Sequence, residues 1–172
     1  MEDHRMRCLP ALATLLLAAP AMAEVQVAFV DPRGFTDASL HAPRPVDADA
    51  PALVGLRRIL ERAGQSLPQG HRLVIEVLDV DLAGYVPPWQ RSGLPVRVME
   101  STTWPRIRLR TTLTRPDGSV VRGEEVVSDM TYLSRAGALR STAPLRFEEP
   151  MLRGWFAARF GASSALVVAQ RR

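Results

Sequence analysis

Leu73-Val74-Ile75-Glu76-Val77-Leu78-Asp79-Val80-Asp81-Leu82 is the stretch on which the architecture turns. It is rich in aliphatic and β-branched residues and has no Gly or Pro. Its second half alternates, with Leu78, Val80 and Leu82 on one side and Asp79 and Asp81 on the other. Successive side chains of a strand point to opposite faces, so the pattern predicts a half-buried strand over Arg72 to Leu82. Such a strand needs partner strands beside it and a second layer against its apolar face.

Both are legible in the flanking sequence. Val25-Gln26-Val27-Ala28-Phe29-Val30 reads as a first strand, ended by Asp31-Pro32-Arg33-Gly34. Trp104 to Arg115 reads as another, with Ile107, Leu109 and Leu113 on one face and Arg106, Arg108 and Arg110 on the other. Arg115-Pro116-Asp117-Gly118 is a turn by composition, and Val120 to Met130 is its hairpin partner. If the acid-bearing and arginine-bearing strands are neighbours, carboxylates meet guanidiniums across a solvated face. Pairs of that kind contribute roughly 0.2–1 kcal/mol each.

The second layer comes from two amphipathic helices. Asp49-Ala50-Pro51 opens one, Leu53, Leu56, Ile59, Leu60 and Ala63 recur at helical spacing, and Gly64 closes it. Pro150 to Phe160 forms the other, with Met151, Leu152, Trp155, Phe156 and Phe160 as its apolar stripe. Glu148 and Glu149 stand at its electropositive N-terminal end. Phe35 to Asp49, Ala83 to Met99 and Ser134 to Pro144 read as loops. The expected fold is an α+β two-layer sandwich, a mainly antiparallel four-stranded sheet with two helices, in the order β-α-β-β-β-α. The tail, residues 162–172, either adds an edge strand through Ala165-Leu166-Val167-Val168-Ala169 or frays.

Ahead of this domain, Met1 to Ala23 reads as a secretory signal peptide. Arg5 and Arg7 lead a brief apolar core, Pro20 breaks it, and Ala21-Met22-Ala23 is a small-x-small cleavage site. The acids Glu2 and Asp3 are unusual in such a leader, and Met6 offers an alternative start without them. The apolar run is too short for a permanent membrane span. The expected mature protein starts at Glu24 in the periplasm, with a single domain over residues 24–161 and no stable membrane insertion. Removing 23 of the 172 residues leaves 149, one domain's worth of chain. The only cysteine, Cys8, leaves with the leader, so no disulfide or thiolate chemistry is expected.

Charge and motifs narrow the function. Lys and Asn are absent, every basic side chain besides histidine is Arg, and the net charge is +4. Acids interleave with the arginines, so no one-sign patch suggests a nucleic-acid partner. His41 and His71 have no second ligand at zinc spacing. No serine lies in a Gly-x-Ser-x-Gly elbow, and no glycine-rich phosphate loop is present. No cofactor, metal or catalytic residue is expected.

The candidate binding residues are Trp104, Arg106, Arg108, Asp129 and Tyr132. The arginines offer guanidinium forks to an anion, or simply a solvated face. Trp104 and Tyr132, with Tyr85 and Trp89, make a sticky rim if they gather at one end of the sheet. Asp129 stands where a strand gives way to a loop. It either accepts backbone N–H bonds and fixes the Tyr132 loop, or faces a cleft with Trp104 and Tyr132. Three functions fit this reading: a non-enzymatic binding module of the cell envelope, a small-ligand or anion binder on the arginine face, or a hydrolase using Asp79, Asp81 or Asp129.

Three motifs in order add a further expectation: Thr103-Trp104-Pro105-Arg106-Ile107, Ser128-Asp129-Met130-Thr131-Tyr132-Leu133, and Leu145-Arg146-Phe147-Glu148 with Met151-Leu152 and Trp155-Phe156. With Phe29-Val30-Asp31-Pro32, Phe35-Thr36-Asp37 and Ile75 to Gly84, they make the chain resemble a bacterial exported family, domain of unknown function 3016. Phe147, Glu149 and Thr131 stand where Tyr, Lys and Asn are common. The resemblance implies export and one small domain, and it brings no catalytic residues.

Overall fold

The computed structural model describes residues 23–41, 44–87, 89 and 96–161. The expected leader, Ala23 apart, and the tail at 162–172 lie outside the described residues. Strand β1 (Glu24–Phe29) lies beside β2 (Arg72–Asp81), followed by β3 (Arg106–Thr114) and β4 (Val120–Ser128). β2, β3 and β4 form an antiparallel meander, but β1 runs parallel to β2, with Glu24 opposite Arg72 and Phe29 opposite Val77. The sheet is therefore mixed, not mainly antiparallel. The helix α1 (Pro51–Gly64) explains the difference. It carries the chain back along the sheet, so β2 enters in the direction of β1, as in other crossover units.

Helix α1 packs against α3 (Glu148–Phe160), and between β4 and α3 lies a short helix, α2 (Ala136–Arg140). The order is thus β-α-β-β-β-α-α, one helix more than the periodicity suggests. Helix α2 has five residues and buries only Ala138, too little for a 3.6-residue pattern to register.

The main core lies between sheet and helices, where Leu53 and Leu56 of α1, Ile75 of β2, Leu109 of β3 and Phe156 of α3 are all buried. Trp155 is only half-buried against this core, its ring meeting Phe160 at 5.5 Å between centroids. Gly64 does more than end a helix. A Cβ there would land inside the Val25 side chain, so glycine lets α1 close onto β1.

Strand β2 contains a bulge. Its register to β3 steps from Val77 opposite Leu109 to Asp79 opposite Arg108, leaving Leu78 as the extra residue. Leu73, Ile75 and Val77 face the core before the bulge, and Val80 after it. Leu78 thus does not share the buried side with Val80 and Leu82. The bulge shifts the pleat by one residue and keeps Glu76, Asp79 and Asp81 all on the outer face. The segment read as a surface loop after Phe35 is partly structural. Asp37 donates its N–H to Val80 and accepts from Leu82, continuing the sheet past the end of β1, and Ala38, Ser39 and Val46 are buried.

Candidate functional site

Helices α1 and α3 take the inner face of the sheet and leave the outer face to charged side chains. Register sets Glu76 opposite Arg110, Asp79 opposite Arg108 and Asp81 opposite Arg106, and on the other side Arg110 opposite Glu124. The acid–arginine ladder expected from alternation is therefore present. Arg106 Nε donates to Asp81 at 3.0 Å, and Arg110 lies 3.1 Å from Glu124 and 3.7 Å from Glu76. These arginines are about half exposed, so each pair is worth little on its own.

The middle rung differs. Asp79 turns its carboxylate away from the ladder to accept the Thr36 N–H at 2.8 Å, the Thr36 hydroxyl at 2.9 Å and the Val80 N–H at 2.9 Å. That arrangement pins the loop after β1 to the sheet. It leaves Arg108 with one ion pair among the described residues, to Glu124 at 4.0 Å. Thr36, Asp79, Asp81, Arg106, Arg108 and Val126 line an open groove of about 340 Å³ at this end of the face. Trp104, half-buried, lies under Arg106 with the guanidinium 5.4 Å from its ring centre. A stacked, forked arginine beside a less engaged one can receive a carboxylate or phosphate.

Behind this end of the sheet lies a second, smaller core of Ala83, Tyr132, Ala138 and Phe147, with Trp104 packed against it. Tyr132 is 0% exposed, so it contributes to this core and presents no surface. Its ring meets Phe147 edge-on at 4.8 Å, and its hydroxyl donates to the Glu100 carbonyl at 2.7 Å. Asp129 is buried as well. It accepts the Thr131 N–H at 3.1 Å, the Thr131 hydroxyl at 2.9 Å and a bond from Arg135 Nε. Burial alone would raise its pKa, but the bonds from Arg135 and Thr131 outweigh burial and hold it below the ordinary value. Those bonds match a turn-fixing role at the end of β4.

Two residues central to this region are not among the candidate binding residues. Arg97, in the segment read as a loop over Ala83 to Met99, sends its guanidinium to Asp37 and to the carbonyls of Ser39, Leu82, Ala83 and Gly84. Glu148, read as an acid at the electropositive end of the last helix, is 2% exposed. Its Oε1 accepts the Ala83 N–H at 2.8 Å and its Oε2 has no hydrogen-bond partner. Burial pushes its pKa up, against the Ala83 bond and the nearby Arg97 charge. The one available hint was its place in the first turn beside Phe147.

Of the five candidate residues, the structure brings Arg106 and Arg108 into the groove with Trp104 at its margin, and it buries Asp129 and Tyr132 behind them. Tyr85 bonds Glu100 at 3.1 Å, and Trp89 is exposed. No group of three or more His, Cys, Asp or Glu that could hold a metal occurs among the described residues. No described helix is long and apolar enough to cross a membrane. The family model for proteins of unknown function DUF3016 matches residues 23–158, and the chain belongs to that family. No curated protein matches it significantly.

Proposed function

We propose that this family member works in the periplasm as a binding module of the cell envelope, holding an acidic group of its partner in the groove over Arg106 and Arg108. The observation that carries this is the broken rung of the ladder. Asp79 faces Arg108 in register yet gives its oxygens to Thr36 and Val80, so a cationic side chain stands in a groove without a close counter-ion. Asp79 is committed to holding the Thr36 loop, so of the outer-face arginines in the groove Arg108 is the one left, among the described residues, with only Glu124, at 4.0 Å, to face. Export is supported by the leader-like composition of Met1 to Ala23 and by a family match that starts at residue 23.

Arg108→Glu tests the groove, with Arg58→Glu on the exposed face of α1 as control. Each is used to capture components from envelope extract at matched urea stability. A component held by the wild type and Arg58→Glu but lost from Arg108→Glu is the expected result. Equal capture by all three overturns the assignment.

A further inference from the structure

We propose that β4 is a self-pairing edge, joining two copies of this chain β4 to β4 in one continuous sheet about a two-fold axis at Gly123. The sheet order ends at β4, and no described element pairs with its outer side. An unpaired edge presents free N–H and C=O groups to another strand. Their phase follows from the hairpin. Arg115 donates to Ser119, so by antiparallel alternation the residues Val121, Gly123, Glu125 and Val127 bond to β3. Val120, Arg122, Glu124, Val126 and Ser128 therefore point their backbone groups outward, and the same residues are the exposed ones on the outer face; the first four lie symmetrically about Gly123.

Their order reads Val, Arg, Glu, Val about Gly123, which is complementary to its own reverse. In antiparallel pairing centred on Gly123, Arg122 stands opposite Glu124 of the second copy and Val120 opposite Val126, twice by symmetry. Backbone phase permits only steps that keep these four residues opposite one another. The next step either way sets Arg122 against Arg122 or Glu124 against Glu124, which like charge disfavours. The centred register alone matches phase, apolar contacts and charge.

Three observations point to this occupant. Arg122 has no ion pair among the described residues, whereas Glu124 already holds Arg110, so a second copy's Glu124 supplies the missing counter-charge. Val120 and Val126 are 44% and 58% exposed on the outer face, and pairing sets each beside its counterpart on the second copy. The strand also lacks the proline or bulge that commonly protects an edge. The opposite edge is treated differently, because Arg57 covers the Val27 carbonyl there. An interface that pairs one patch with itself closes as a dimer, with the Val126 wall of each Arg108 groove lying beside the seam.

Sedimentation equilibrium of the chain from Glu24 to Arg172 tests this. The wild type is expected to dimerise with concentration, and Arg122→Glu or Glu124→Arg alone to weaken the dimer about tenfold or more. An equimolar mixture of the two variants regains it, since each supplies the charge the other lacks. Amides of Arg122, Glu124 and Val126 then exchange more slowly at high concentration. A wild type monomeric at every concentration overturns the proposal, as does a dimer indifferent to both reversals. A chain that dimerises only when ended at Gly161 overturns it too, assigning the edge to residues 162–172 instead.

Discussion

Arg97 and Asp37, separated by 60 residues of chain, form a largely buried ion pair with Nη2 2.8 Å from Oδ2. The same guanidinium ties down the carbonyls of Ser39, Leu82, Ala83 and Gly84, so one side chain joins the segment after β1, the segment after β2 and its own loop. Removing it strands a carboxylate and several acceptors at once. Arg97→Ala is expected to destabilise the fold by about 3–5 kcal/mol. Arg97→Lys should recover only part of this, because an ammonium lacks the planar fork. Urea midpoints check both, and a wild-type midpoint for Arg97→Ala would show that the hub is dispensable.

Asp129→Ala is expected to cost about 1–3 kcal/mol, since it leaves the Thr131 N–H and Arg135 without their acceptor behind the sheet. Unchanged stability combined with lost capture from envelope extract would instead place Asp129 in the binding surface.

Asp129 and Glu148 pull the pH profile in opposite directions. The Asp129 pKa is lowered in the fold, so its contribution is present above the ordinary value of 3.8 and is lost as pH falls through the folded value. The Glu148 pKa is raised, so the advantage of its protonated form is present below 4.5 and is lost as pH rises through the folded value. Glu148→Gln keeps an acceptor for Ala83 and stays neutral. It is expected to flatten the decline above pH 4.5 and to leave the acid limb in place. Stability curves measured from acid to neutral pH decide this, and a variant with the wild-type decline would exonerate Glu148.

In the main core, Phe156→Ala is expected to cost about 3–5 kcal/mol, because the ring is 1% exposed and its loss leaves a cavity. Trp155 reads as equally central from its position in the helix stripe, yet its ring is only half-buried. Trp155→Ala should cost about 1–3 kcal/mol, in keeping with less area removed from water. Denaturant titration of the two variants side by side tests the order.

Export is expected to leave Glu24 as the mature N-terminus. Mass spectrometry of protein recovered from the periplasm reads this directly, and folded protein that retains residues 1–23 would contradict it. A chain that starts at Glu24 has no cysteine, so reducing agent should not move its unfolding midpoint.

Local pattern was enough for the strands, the two long helices and the hairpin turn, because each rests on a period or a turn chemistry contained in a dozen neighbouring residues. The predicted helix from Pro51 to Gly64 coincides with α1, and the Arg106-Arg108-Arg110 face lies where alternation puts it. The same pattern missed what depends on the distant chain. The direction of β1 follows from how α1 packs, and the bulge at Leu78 follows from the register that β3 imposes. Tyr132 and Trp104 have the same aromatic character in the chain, but only packing against Phe147 makes one a core residue and leaves the other at the groove. Arg97 and Glu148 are ordinary charged residues in sequence. Their weight comes from burial among partners that approach only after the sheet and helices have closed around them.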